Sequence, residues 1–273
     1  MEVEPLVTII SRALGDNLKG VVLYGSSAIS EDYSPLSDLN VAVIVREKPP
    51  VETMALLAEK LGHDVSTLFL TVDELKMLAS DGEFIAHEII RGGRILYADE
   101  EVGRLLSMKP PITGRTASYL GRHSLACLGL SLENYFAGRF SASLNYAFKS
   151  LRSACRSVAV NDSLVLLSDK EIVDYFDKRG MQRFKEVYLR LRESRFKGVR
   201  RGELLPILTE AFENAFSLLG LPRPNLSEVV STIEREFRFV SDVKVHSNGN
   251  VLELLVSGVD VKGYSKEIRI PLG

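Results

Sequence analysis

The sequence has no tryptophan, two cysteines, four histidines and no apolar run of 18 residues. Each shortage removes a class of function. Cys127 and Cys155 are far apart, lie in apolar surroundings of helical pattern and form no Cys-x-x-Cys pair. A disulfide framework and a thiolate zinc site are therefore disfavoured, and two buried free thiols are expected. His63, His87, His123 and His246 are scattered without the spacing of metal ligands. No segment is long and apolar enough to read as a membrane-spanning helix, so no membrane partner is expected. Met-Glu-Val-Glu-Pro at the start lacks the basic-then-apolar order of a signal peptide. The expected location is cytoplasmic. Charge of one sign is scarce too: the net charge is −2, so no global field recruits nucleic acid and any basic surface must be local.

What is present is the balance of a soluble globular chain, 45% hydrophobic and 26% charged. Its 273 residues suffice for two domains, or one with a sizeable extension. Three zones follow one another. Residues 1–108 alternate helical and extended patterns. Leu6, Ile9, Ile10, Ala13 and Leu14 share one face of a first helix. Gly20–Gly25 and Leu39–Val45 read as strands, the second rich in β-branched residues. Pro49-Pro50 opens a helix to Leu61, Val65–Leu70 is a third strand, and Asp73 is placed to cap a helix that stops near Gly82. Residues 83–91 form another helix and Arg94–Tyr97 a last strand. After the Pro110-Pro111 linker, residues 113–221 are helical throughout, with helices predicted at 114–137, 140–160, 168–177, 181–195 and 202–219. Leu221-Pro-Arg-Pro224 marks a second boundary. In residues 225–273, Leu226–Phe237 reads as a helix, Val243–Ser247 and Val251–Val256 flank an Asn248-Gly249 hairpin signal, and Lys266–Ile270 alternates as a third strand.

The chemistry is concentrated in Gly25-Ser26, Asp38-Leu39-Asn40 and Asp64. A glycine ending a strand lets the chain turn sharply, and the backbone N–H groups there, with the Ser26 hydroxyl, suit the terminal phosphates of a nucleotide. Asp38 and Asn40, two apart on a strand, point to one face. Asp64, opening a neighbouring strand, has the same face available. Such a cluster suits Mg²⁺ or Mn²⁺ ions that activate an acceptor hydroxyl and stabilise a leaving pyrophosphate.

Tyr24-Gly-Ser-Ser-Ala28 followed by Ser37-Asp-Leu-Asn40 resembles the nucleotidyltransferase superfamily related to DNA polymerase beta, in particular its small MNT-type domains. His63-Asp-Val-Ser66 is similar to the family's third acidic segment, and Ile89–Tyr97 to the end of the domain. The resemblance implies transfer of a nucleoside monophosphate from an NTP to a hydroxyl acceptor. It implies a phosphate site at Gly25, Ser26, Ser27 and Ser37, metal ligands at Asp38, Asn40 and Asp64, and catalytic roles for Asp38 and Asp64. The architecture it implies is α+β: an N-terminal nucleotidyltransferase-fold domain (1–108), a central all-α bundle (113–221) and a small C-terminal αβββ unit (225–273).

Two departures stand out. Ile29 and Ser30 occupy positions where the family pattern has Arg-Gly, so one phosphate-facing cation is missing. Asn40 stands where the second metal-binding Asp is expected. An amide lends a carbonyl oxygen but no charge, which weakens a dication site by on the order of a few kcal/mol. The alternative to catalysis is therefore a degenerate nucleotide-binding or regulatory module.

The helical zone resembles HEPN-type bundles, through Ala137-Gly-Arg-Phe-Ser-Ala-Ser-Leu-Asn-Tyr-Ala-Phe148. The ribonuclease members of that group carry an Arg-x(4–6)-His motif late in the bundle. Here no histidine follows residue 161 until His246, so ribonuclease activity is not expected. Residues 178–201 hold ten Lys or Arg against two Glu, with Phe184, Tyr188 and Phe196 interleaved. That stripe is either a patch for RNA or NTP phosphates or a solvated helix face with its aromatics in the core, and RNA binding is a third functional reading. Arg122-His123 reads as a surface arginine beside a partly buried histidine. Other expected partners are the NTP, an acceptor that is a small molecule, a protein or an RNA, and a second copy of the chain through an open sheet edge in the tail.

Overall fold

The computed structural model describes residues 3–29, 39–248 and 251–272. The chain is mixed α+β, with eleven helices and two sheets among the described residues. It divides into two compact units. One holds residues 1–116 with 165–171, the other residues 117–164 with 172–273. No described helix is long and apolar enough to cross a membrane.

The first unit is built on a four-stranded sheet of β1 (Leu18–Tyr24), β2 (Leu39–Val45), β3 (Val65–Thr71) and β4 (Arg94–Ala98), in the order β3-β2-β1-β4. β2 runs antiparallel to β1 and parallel to β3, while β4 is antiparallel to β1. The Val41-Ala-Val-Ile-Val45 run is buried on both sides, as a central strand covered by helices requires. Val21, Leu23, Val41 and Val43 face α1 (Val3–Leu14) and α2 (Val51–Leu61). Val22, Ala42, Ile44 and Leu70 face α3 (Val72–Ser80), α4 (Phe84–Ile90) and α5 (Glu100–Leu106).

Two local expectations change here. Asp73 does not cap α3; it lies in the first turn and is exposed. Thr71 caps instead, its hydroxyl accepting from Glu74 N at 3.1 Å while the Glu74 carboxylate accepts from Thr71 N at 2.7 Å. This reciprocal pair satisfies two otherwise orphaned donors, which a lone Asp73 would not. The Glu74 carboxyl is held below its ordinary range chiefly by that backbone bond. The helix α5 is an addition to the elements expected from the sequence. Asp99 caps it by accepting from Val102 N at 3.0 Å, and Val102, Leu105 and Leu106 are buried.

The segment after Pro110-Pro111 is tied down. His87 Nε2 hydrogen-bonds the Pro111 carbonyl at 3.2 Å, Thr113 Oγ1 donates to Asp81 O at 2.8 Å, and Thr116 Oγ1 donates to Gly82 O at 2.5 Å. Burial keeps His87 below its ordinary pKa and therefore neutral near pH 7.

The second unit is mostly helical: α6 (Gly114–Phe136), α7 (Phe140–Asn161), α8 (Asp169–Lys178), α9 (Gln182–Lys197), α10 (Arg201–Leu218) and α11 (Leu226–Glu236), the first turns of α6 and α8 belonging to the other unit. α6 and α7 meet along a seam of small residues. Ser157 Oγ donates to Ala117 O at 3.2 Å, Ser124 Oγ to Ser150 O at 3.0 Å, and Ser131 Oγ to Ser143 O at 2.8 Å. These pairs recur every seven residues on both helices, the interval that keeps one face of a helix toward its neighbour.

β5 (Phe237–Asn248), β6 (Val251–Asp260) and β7 (Ser265–Pro271) form an antiparallel sheet in that order. β5 starts at Phe237 with no loop after α11, so the helix stops one residue short of the expected end. The hairpin joins Asn248 to Val251 as paired residues, one step later than an Asn248-Gly249 turn; Gly249 and Asn250 lie outside the described residues. The sheet packs against α6, since the backbone of Val243 lies directly over Gly129.

Candidate functional site

The site elements meet at one end of the four-stranded sheet. β1 ends there, and β2 and β3 both begin there, because β1 is antiparallel to β2 and β2 is parallel to β3. Tyr24 leaves β1 extended; Gly25 then turns the chain with φ +67°, a left-handed conformation that glycine adopts without a Cβ clash. Gly25–Ser27 form a single 3-10 turn closed by Ala28 N donating to Gly25 O at 3.2 Å. Ser26 is half-buried in it.

Asn40 sits opposite Tyr24 on one side and Ser66 on the other. It is half-buried, and its Nδ2 lies 3.5 Å from where a Cβ on Gly25 would stand. The Asn40 amide thus borders the Gly25 turn itself. Asp64 is placed slightly differently from expectation. It occupies the turn residue before β3, exposed, and its carbonyl accepts from Leu39 N at 2.7 Å. This bond ties the start of β2 to the start of β3 and keeps Asp64 at the same sheet end as Asn40 and Gly25. Ser37 and Asp38 lie outside the described residues, as does the side chain of Ser27. Among the described residues no three His, Cys, Asp or Glu side chains gather as a metal cluster.

Residues 7–102 match the family model described as polymerase beta, nucleotidyltransferase. The N-terminal region is therefore nucleotidyltransferase-like, and the sheet end just described lies within the matched residues. No curated protein matches the chain. Among solved structures the chain is similar to spectinomycin adenyltransferase AAD(9) from Enterococcus faecialis, solved with ATP and spectinomycin. The identity is 13%, over 80% of this chain and 100% of that one, with a TM-score of 0.53. At that identity the likeness is one of fold, and it extends well beyond the nucleotidyltransferase domain. A mutant of the toxin–antitoxin MntA-HpeT is 16% identical over 39% of this chain and 80% of that one, with a TM-score of 0.30.

The basic stripe divides on inspection. Lys185 pairs with Asp177 at 2.7 Å, Lys197 with Glu193 at 2.5 Å, Arg179 with Asp162 and Arg190 with Glu210. Tyr188 is fully buried, while Phe196 is exposed. Four of the ten cations are thus paired with carboxylates.

A second set of cations lies on α7 and α9. Lys149, Arg152 and Arg156 follow one another along α7, and Arg195 of α9 lies over the Phe148 ring at 4.3 Å, with Arg152 5.6 Å from the same ring. Next to them His123 bonds Ser153 Oγ at 2.8 Å and stacks on Tyr119. Burial, then the charges of Arg152, Lys149 and Arg156, push the His123 pKa down to about 4. The three-and-four spacing of the α7 cations was visible in the sequence; their convergence with α9 was not. Arg122 is exposed and His123 half-buried, as expected. Cys127 and Cys155 are buried free thiols, their pKa values raised by burial to about 11 and about 12.

Proposed function

We propose that the chain transfers a nucleoside monophosphate from an NTP to a hydroxyl acceptor with the help of Mg²⁺ or Mn²⁺. The observation that carries this is the meeting of the Gly25 turn, Asn40 and Asp64 at one sheet end, fixed by the Leu39–Asp64 bond. The donors there are oxygens and an exposed carboxylate, which fit a hard divalent ion. Asp38 and Asp64 would hold it with the Asn40 carbonyl as an optional ligand. When bound, such an ion offsets charge on the triphosphate and on the leaving pyrophosphate.

The chain's own residues have separable tasks. Backbone N–H groups of the Gly25 turn and the Ser26 hydroxyl hold phosphate oxygens. Asp64, exposed to solvent and to an incoming acceptor, takes the hydroxyl proton as that oxygen attacks the α-phosphorus and pyrophosphate leaves. The similar adenyltransferase was solved with ATP and spectinomycin, which supports ATP and a small hydroxylated molecule as the first pair to try.

One observation favours a second reading. Asn40 is neutral, so the domain could bind NTP without turnover. Incubation with α-labelled NTPs and a panel of hydroxylated acceptors, at Mg²⁺ and at Mn²⁺, separates the two. Label transfer supports the enzyme; saturable nucleotide binding with no transfer to any acceptor supports the binding module. RNA binding by the stripe is the weakest reading, because four of its ten cations are paired with carboxylates.

A further inference from the structure

The nucleotidyl-transfer reading leaves open what Asn40 does, and the environment of that side chain answers differently from its position in the motif. Asn40 sits in a row of neutral groups. Its register partner on β1 is Tyr24 and its register partner on β3 is Ser66, and all three share one face of the sheet. Neither of these register partners carries a carboxylate. Its amide nitrogen lies toward the Gly25 turn, 3.5 Å from the position a Gly25 Cβ would take, so the NH₂ group adjoins the backbone that is built to meet phosphate. An amide carries two donors that a carboxylate lacks. At this position they extend the row of donors offered by the turn.

We propose that this site takes a single divalent ion, the one that arrives with the triphosphate, and that Asn40 serves as a hydrogen-bond donor to the phosphates. The inference rests on the nucleotidyl-transfer reading and refines it. The physical argument is one of charge. An ion chelated by NTP oxygens needs little from the protein. A second ion held mainly by side chains needs their negative charge, and replacing a carboxylate by an amide removes one unit of it. What the site loses in cation binding it regains in part as a donor to the phosphate oxygens, the role left empty by Ile29 where the resemblance places an arginine. The acceptor proton then goes to Asp64, with no second ion required to lower the acceptor's pKa.

The test uses the full chain and Mn²⁺ as the probe, read by electron paramagnetic resonance, with the α,β-methylene analogues of ATP, GTP, CTP and UTP in turn. The expected result is one Mn²⁺ per protein with whichever analogue binds, and two with Asn40→Asp. Asn40→Ala is expected to keep the single ion but weaken analogue binding about tenfold, the loss of a charge-assisted hydrogen bond. Two Mn²⁺ ions in the unaltered protein, or one ion fewer in Asn40→Ala, would overturn the inference while leaving the nucleotidyl-transfer reading intact. Absence of any analogue-dependent Mn²⁺ binding would remove both together.

Discussion

The backbone N–H of Leu39 donates to the carbonyl oxygen of Asp64 at 2.7 Å. The bond uses the main chain of Asp64 and leaves its carboxylate exposed. Structure and chemistry at this residue are therefore separable. Asp64→Asn keeps the bond and removes the carboxylate, both as base and as ion ligand. We expect label transfer to fall by about 10²–10⁴-fold, the usual worth of a positioned general base, with an unchanged thermal midpoint. Full activity in this variant would remove Asp64 from the reaction.

Gly25 and Gly15 test whether the turn matters for its position or only for its backbone. Both have positive φ, +67° and +51°. Gly15 lies before β1 and Gly25 after it, at opposite ends of the sheet. Alanine at either is expected to cost roughly 1 kcal/mol, the penalty of a left-handed conformation. At Gly25 the added methyl also meets the Asn40 amide at 3.5 Å, whereas at Gly15 it meets nothing within 4 Å. Nucleotide affinity should therefore drop in Gly25→Ala and hold in Gly15→Ala. Equal affinities in the two variants would dissociate the turn from phosphate binding.

Much of this fold could be read from sequence because its strands carry their own signature. The β-branched run Leu39–Val45 became β2 residue for residue, and the helices between 114 and 219 fell within a residue or two of expectation. Where the reading failed, the deciding information was a partner distant from the local pattern. Asp73 looked like a cap until Thr71 and Glu74 were seen to satisfy each other. The helix α5 is seven residues long with Gly103 inside it, too short for an apolar period to emerge. The serines of the α6–α7 seam read as polar interruptions, and only the seven-residue interval on both helices shows them as a contact face. Charges in 178–201 summed to a patch in the sequence because Asp162, Asp177 and Glu210 lie outside that stretch or on its margin. At the site, the Gly25–Ser27 turn and the place of Asn40 on β2 were legible, Asp38 lies outside the described residues, and the neighbours of Asn40 across the strands depend on register.

His123 gives the second unit a defined acid response. Its pKa lies at about 4 in the fold, below the ordinary 6.5, because it is buried beside three cations. Between those values the unfolded chain binds a proton that the folded chain refuses, so stability falls as pH drops from about 6.5 toward 4. The effect is on the order of 2 kcal/mol. Denaturant midpoints at pH 7 and pH 5 should show the loss, and His123→Gln should reduce it. His87, also lowered by burial, contributes with the same sign in the first unit. An identical pH dependence in His123→Gln would show that this buried ring does not account for the acid response.

Two glycines in α6 are predicted to respond oppositely to the same substitution. Alanine in a helix interior is favoured over glycine by roughly 0.5–1 kcal/mol, since glycine loses more backbone freedom on folding. At Gly121 the new methyl would find Ser157 Oγ at 3.8 Å and Leu219 Cδ2 at 3.9 Å, ordinary contacts, so Gly121→Ala should gain that stabilisation. At Gly129 it would stand 2.5 Å from the Val243 carbonyl oxygen and 3.3 Å from its carbon. Both atoms belong to the backbone of β5, which is paired along its length with β6 and cannot shift alone. Overpacking of this kind costs about 1–3 kcal/mol, enough to reverse the sign. Thermal denaturation of the two variants decides it. A midpoint that rises at Gly121 and falls at Gly129 is the expected outcome; a rise at both would mean that β5 does not rest against this face of α6.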